Sequence, residues 1–349
     1  MFFDILKPVI DKAVFRSLKD IYSQLIDEMP ELVTKGHELL ALPADKRISL
    51  GLSLKEGKPV FSLLLLKEDS WALRKAEEFE NKFEGYVIKK VTGISHSSWP
   101  EEKKRQKKSR TNLKPGVSIG SIRAYAGTMG CFIKIERDSG DWYGVTSAAH
   151  VLALSKNTEQ GDPILVPGYP DGPRVRKNQI GILHDYTLLV HHLDDDEESP
   201  IPLNSDDVAI VKLSPQPSST PKNLVPNPKD PKEMSKISGI LNANELFNYV
   251  GESVYKTGRT SGFTKGIIDT TNIVQYPITL PNRKNYLFTN VLAIEHEGSK
   301  AFSQPGDSGA LVYNEDMKAI GFVIGGSNDF SIVIPCSECL LDHEAKLVV

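Results

Sequence analysis

From Gly116 onward the chain is written in short apolar runs broken by Gly, Pro, Asn and Asp: Gly130 to Ile135, Val208 to Leu213, Val250 to Tyr255, Leu287 to Ile294 and Ala319 to Ile324. Runs this short, punctuated this often, suit strands rather than helices and predict an all-β unit. A proline-rich passage with Pro215, Pro217, Pro221, Pro226, Pro228 and Pro231 divides this region into comparable halves. Proline cannot donate to a β-ladder, so the passage is read as a connector, 214–236, between a first barrel at about 116–213 and a second at about 237–349.

The first third of the chain has another texture. Val14, Leu18, Ile21, Leu25, Met29 and Leu32 recur every three or four residues, which predicts an amphipathic helix between Phe2 and Val33. Two apolar runs, Ile48 to Leu54 and Val60 to Leu66, flank a Gly57-containing loop and predict a hairpin. Helical composition from Trp71 to Phe83 and a strand from Tyr86 to Val91 complete a small ββαβ unit, so residues 1–98 are expected to form an α+β domain with a leading helix. Its two histidines, His37 and His96, lie outside the expected elements and suggest no catalytic constellation. Residues 99–115 carry Lys103, Lys104, Arg105, Lys107, Lys108 and Arg110 and read as a basic linker.

At 349 residues, with 40% apolar and 25% charged residues, the chain can bury sizeable cores. A net charge of −3 argues against general nucleic-acid affinity. No run approaches the roughly 18 apolar residues of a membrane span, and charges interrupt the first residues before a signal-peptide core can form. The three cysteines, Cys131, Cys336 and Cys339, are too few for a secreted disulfide framework. A cytoplasmic protein is expected.

Chemistry is concentrated in three places. Gly306-Asp307-Ser308-Gly309-Ala310-Leu311 sets a serine in a tight glycine-flanked turn, where bare backbone could point N–H groups at a developing oxyanion. Thr146-Ser147-Ala148-Ala149-His150 gives a histidine small neighbours, and a neutral imidazole suits a general base. Ser205-Asp206-Asp207-Val208 leads a carboxylate into an apolar strand, where it needs a donor such as an imidazole N–H; Asp207, directly before the strand, is preferred to Asp206. His150 and Asp207 precede the connector and Ser308 follows it, the order of a serine-peptidase triad set between two barrels.

With these motifs in place, residues 116–349 resemble trypsin-like, chymotrypsin-fold serine peptidases. Finer matches point to the intracellular and bacterial branch, including plant narrow-leaf-type proteases: Gly127-Thr128-Met129-Gly130, Gly161-Asp162-Pro163-Ile164, Pro167-Gly168 with Asp171-Gly172, and Lys256-Thr257-Gly258-Arg259-Thr260-Ser261-Gly262. The resemblance implies a serine endopeptidase with His150 as base, Asp207 as its orienter and Ser308 as nucleophile, needing no cofactor and no metal. It implies an oxyanion hole at the amides of Gly306 and Ser308, and substrate-binding positions at Phe302, Ser303, Ile324, Gly325 and Gly326. No acid stands at the pocket base, so an apolar or small side chain is expected there, with Asp329 the residue most able to alter that preference.

The chain departs from secreted trypsins. Val151 replaces the usual cysteine, Ile324 replaces the serine that often steadies the aspartate, and no Ile-Val-Gly-Gly sequence follows the basic linker to pair with Asp307. The expectation is that the chain folds active or is gated by its N-terminal region. Three roles stay open for that region: recruiting a regulatory partner, regulating the cleft, or bracing the first barrel. Protein or peptide substrates are the expected partners, the competing reading being a non-catalytic peptide-binding scaffold. Cys336, Cys339 and His343 have near-zinc spacing but lack a fourth ligand, and the acidic run Asp194 to Glu198 reads as a solvated loop.

Overall fold

The computed structural model describes residue 6 and residues 11–28, 47–68, 71–97, 113–122, 125–168, 175–191 and 203–349. His37, Met29, Leu32, the basic residues between 103 and 110, Asp171-Gly172 and the acidic run from Asp194 lie outside the described residues.

Helix α1 (Lys12–Glu28) buries Leu18, Ile21 and Leu25 on one face, and the Asp11 carboxylate caps it by accepting the Ala13 N–H at 2.7 Å. Strands β1 (Ile48–Lys55) and β2 (Lys58–Leu65) form a hairpin tighter than the expected loop: Glu56 and Gly57 alone make the turn, at φ 52° and 74°. Two positive φ values give the turn the twist of the strands it joins. Helix α2 (Trp71–Lys82) buries Ala72, Ala76 and Phe79, and β3 (Val87–Val91) returns parallel to β2. A two-residue strand, β4 (Ser95–His96), follows.

The next strands are β5 (Ser118–Ser121), β6 (Ala126–Thr128), β7 (Phe132–Ile135) and β8 (Trp142–Ala148), then a single helical turn α3 (Ala149–Leu152), β9 (Pro163–Leu165), β10 (Gln179–Tyr186) and β11 (Val208–Leu213). The connector carries a short pair, β12 (Leu224–Pro226) and β13 (Met234–Lys236). Beyond it lie β14 (Gly239–Ile240), β15 (Ser253–Gly258), β16 (Gly262–Val274), β17 (Tyr276–Thr279), β18 (Asn285–Phe288), β19 (Val291–His296), β20 (Leu311–Asn314), β21 (Lys318–Gly326) and β22 (Phe330–Pro335). Helix α4 (Cys336–Asp342) and β23 (Ala345–Leu347) end the chain.

In the second half, β15, β16, β19, β22, β21 and β20 pair in that order, and β20 pairs back to β15, closing a barrel. The first half is a half-barrel in the order β23-β7-β8-β11-β10-β9-β5-β6. The fold is therefore an all-β, chymotrypsin-like two-barrel architecture with a short helix ahead of it.

Three sets of strand pairings cross the expected domain bounds. The ββαβ unit is not separate, because β1 pairs antiparallel with the long strand β16 and extends the sheet of the second barrel. The reason is visible in the strands: β1 is buried on both faces from Ile48 to Ser53, and a strand apolar on both faces must be covered on both. One core accordingly joins Leu18, Phe61 and Phe79 to Val254, Ile268 and Val312, so the unit braces the second barrel rather than the first. The Ser53 hydroxyl donates to the Asp269 carbonyl at 2.6 Å, and Lys90 pairs with the Asp269 carboxylate. At the other end β23 leaves the second barrel and pairs with β7 of the first. Finally, β4 belongs to the second barrel's sheet, between β17 and β21.

Candidate active site

Ser308 sits where the turn after residue 304 enters β20. Gly306 has φ 99° and Gly309 has φ 89°, a left-handed region costly for other residues. At Gly309 space forbids a side chain as well, since a Cβ would lie 2.5 Å from the Thr128 carbonyl and 2.8 Å from the Ala148 nitrogen. The turn is stitched to both barrels: Gly309 N–H donates to the Val323 carbonyl at 2.8 Å, and Thr128 N–H donates to the Ser308 carbonyl at 2.8 Å. The Thr128 hydroxyl donates to the Gly306 carbonyl at 2.9 Å. The amides of Gly306 and Ser308 make no hydrogen bond among the described residues.

Asp307, for which the sequence offered no partner, has a cation. Its carboxylate lies 3.0 Å from Lys256 Nζ, both side chains being fully buried. It also accepts from the amides of Thr260 at 2.9 Å, Gln304 at 3.0 Å and Ser261 at 3.3 Å, and from the Ser261 hydroxyl at 2.5 Å. Burial pushes the Lys256 ammonium below its ordinary range, and the charge and hydrogen bond of Asp307 push back. The pair fixes the segments on both sides of the turn. Lys256 was legible as an inward position, since it alternates with Val254 and Gly258 on β15, but its chemistry was not.

His150 is carried on α3, directly after β8. Pairing of Ala148 with Val208 brings the start of β11 beside it, and Asp207 faces the ring. Asp207 Oδ1 accepts the His150 backbone N–H at 2.9 Å, while Oδ2 lies 2.5 Å from Nδ1. Both oxygens of a fully buried carboxylate are thus occupied without the serine that Ile324 replaces. Asp206 points elsewhere: its Oδ2 accepts from the Thr187 hydroxyl at 2.6 Å and lies 3.1 Å from His343 Nε2. His343 Nδ1 in turn lies 2.7 Å from Asp185. Burial alone would lower the His343 pKa, but the bonds to Asp206 and Asp185 override it and hold the ring up to about 9.

His150 and Ser308 are brought together with a third group between them. His150 Nε2 is 2.5 Å from the Ser97 hydroxyl, which is 3.0 Å from the Ser308 hydroxyl. Ser97 follows β4, so the segment expected to carry no chemistry lies in the cleft, and His96 pairs with Gly326 of β21.

With His96 and Ser97 forming part of its wall, the adjoining pocket is about 30 Å³, and Ser303, Gly325 and Gly326 line it with Val323 and Ser327. Phe302, expected at this pocket, does not line it, and neither does the side chain of Ile324, whose expected place was on the strand that binds the substrate backbone. Both side chains are fully buried in apolar cores: Ile324 turns away from the cleft on β21, where Val323 and Gly325 line the pocket, and Phe302 lies in the bend just ahead of Ser303. Ser303 is tied to Ser331, hydroxyl to hydroxyl at 2.7 Å, and Ser331 lies 3.4 Å from His296 Nε2. Asp329 is exposed at the rim, lining a shallow neighbouring cavity rather than the pocket base. The three cysteines are buried free thiols, with burial pushing the Cys131 thiol up to about 12. Among the described residues no cluster of metal-ligating side chains occurs, and no helix is long and apolar enough to cross a membrane.

Residues 223–335 match the family model described as the Nal1 C-terminal domain. No curated protein matches the sequence. Among solved structures, protease A of Thermobifida fusca is similar at 15% identity and TM-score 0.44, over 68% of this chain and 98% of that one. The Nocardiopsis protease is similar at 18% identity and TM-score 0.44, with the same coverage. Cellulomonas bogoriensis chymotrypsin is similar at 16% identity and TM-score 0.42, over 67% of this chain and 97% of that one.

Proposed function

We propose that the chain is a serine endopeptidase of the trypsin-like, intracellular and bacterial branch, acting in a reducing cytoplasm. The observation that carries this reading is the buried line from the Asp207 carboxylate through the His150 ring toward the Ser308 hydroxyl, built from three separate elements across two barrels. In the reaction, His150 Nε2 removes the Ser308 proton as Oγ attacks the scissile carbonyl, and the tetrahedral oxyanion is held by the amides of Gly306 and Ser308. Collapse gives an acyl-enzyme, with the His150 proton passing to the leaving amine; water then repeats the sequence and frees the acid. Asp207 keeps Nδ1 protonated, so that Nε2 is the accepting nitrogen. Among the described residues no acidic side chain lines the pocket beside Ser303, which suits an apolar or small side chain rather than Lys or Arg.

The motifs quoted above and the match over residues 223–335 support the branch; three free thiols support the compartment. A fluorophosphonate probe tests the activity: it should label the wild-type chain and leave Ser308→Ala unlabelled. Equal labelling of the two would place any reactivity elsewhere and defeat the assignment.

A further inference from the structure

Strand β4 enters the groove at the edge of the second barrel and fills it. It runs parallel to β17, with Ser95 opposite Ile278 and His96 opposite Thr279, and antiparallel to β21, with His96 opposite Gly326. The Ser97 amide donates to the Thr279 carbonyl at 3.0 Å, so by alternation the His96 amide faces β21. A peptide bound by addition to the Gly325-Gly326 edge of β21 would need the ladder positions that His96 now holds. It would also need the space beside Ser308 that Ser97 holds.

The segment is anchored by polar groups. The Tyr276 hydroxyl, fully buried, meets the Thr92 hydroxyl at 3.0 Å and the Ser95 hydroxyl at 2.9 Å. The Thr92 amide donates to the Leu65 carbonyl at 2.8 Å, and the Ser327 hydroxyl donates to the Thr92 carbonyl. Against this, the large side chains it carries are not committed to a core: Ile94 is 38% exposed and His96 is exposed. A strand held by hydrogen bonds, with little apolar area buried, can be exchanged for another strand making the same bonds.

We infer that Thr92–Ser97 is a built-in occupant of the substrate groove, a strand that keeps the enzyme latent until an extended peptide or a partner displaces it. This rests on the peptidase reading and extends it in two ways. The groove recognises substrate as an added strand lying between β17 and β21, in the direction the segment itself takes. Control acts on the base, because Ser97 rather than Ser308 holds His150 Nε2. The same hydroxyls would form a proton relay if Ser97 belonged to the machinery, and a single substitution separates the two roles.

The test uses the full chain, with fluorophosphonate labelling of Ser308 as one readout and hydrogen exchange of the 92–97 amides as a second that needs no chemistry. Ser97→Ala removes the hydroxyl. His96→Pro removes the amide facing β21 at an exposed side chain. Tyr276→Phe keeps the buried ring and removes only the two anchoring bonds. Each lost bond should speed labelling about fivefold, and Ser97→Ala with His96→Pro together by tenfold or more, with faster exchange at the Ser97 amide. Unchanged labelling in all the variants, with exchange accelerated, overturns the occupant while leaving the peptidase in place. Slower labelling in Ser97→Ala makes Ser97 a relay and overturns it too. If no variant labels although exchange shows the strand released, the peptidase reading itself falls, and latency with it.

Discussion

Replacing Lys256 by Met removes the cation from Asp307 while nearly preserving side-chain volume. Both partners are fully buried and 3.0 Å apart, and breaking such a pair from one side generally costs about 3–5 kcal/mol, because a charge is left without its partner away from water. The lower end applies here. Asp307 would keep four donors, the amides of Thr260, Ser261 and Gln304 and the Ser261 hydroxyl, which together solvate the carboxylate. The expected loss is about 3 kcal/mol, a factor on the order of a hundred in the folding equilibrium. Urea denaturation of wild type and variant measures it, and adding Asp307→Asn to Lys256→Met should recover part of it by neutralising the stranded charge. Because the carboxylate bonds flank the Ser308 turn, fluorophosphonate labelling should slow in native buffer before global unfolding is seen. The reasoning is refuted if Lys256→Met unfolds within about 0.5 kcal/mol of wild type and labels at the same rate.

Three further outcomes are expected. Gly309→Ala combines φ 89° with backbone atoms 2.5–2.8 Å from the new Cβ, so it should cost about 3 kcal/mol or more and abolish Ser308 labelling, read by thermal unfolding and the probe. Asn223, fully buried, accepts the Phe132 amide at 2.6 Å and donates to the carbonyls of Phe132 at 2.9 Å and Val348 at 2.8 Å; Asn223→Ala orphans all three and should cost about 3 kcal/mol in urea denaturation. His343 is raised from 6.5 to about 9 by Asp206 and Asp185, so its contribution is full below pH 6.5 and lost as pH rises through about 9. The stability difference between wild type and His343→Gln should therefore shrink by about 2 kcal/mol from pH 6.5 to 9.5, a figure below the full shift because Asp185 is 44% exposed and screened by solvent.

The two barrels were legible because their strands are short, apolar and separated by residues that cannot continue a ladder. His150, Asp207 and Ser308, which the fold brings together around Ser97, were singled out because each is written as a local signature: Gly306 and Gly309 around Ser308, small residues before His150, an acid before an apolar run at Asp207. What escaped the sequence is pairing between distant segments. That β1 would dock on β16 depends on two apolar faces meeting 220 residues apart, and nothing local distinguishes Ile48–Ser53 from a strand of an independent unit. The resemblance implies substrate-binding roles for Phe302 and Ile324, but motif position does not give side-chain direction: Ile324 faces the core on β21, and Phe302 is buried in the bend before Ser303. His343 was weighed as a zinc ligand by its spacing from Cys336 and Cys339; the fold turns it to Asp185 and Asp206 instead.

Lys256 and Ser97 together bear on where control of such a site would reside. In secreted trypsins, as the resemblance implies, the turn before the nucleophile is completed only when a new N-terminus reaches the aspartate. Here that aspartate is already paired with a side chain of β15, within the second barrel itself, so its charge needs no new N-terminus as a partner. A site whose turn is permanently made can be held silent only at the cleft or at the base. Ser97 stands at both, 2.5 Å from His150 Nε2 and 3.0 Å from Ser308, on a segment whose other end is tied to the hairpin unit through Thr92 and Leu65. Since that unit shares its core with the second barrel, a partner that shifted the hairpin would pull on the strand in the groove. The N-terminal third would then act on the rate of peptide cleavage without contributing any reacting group.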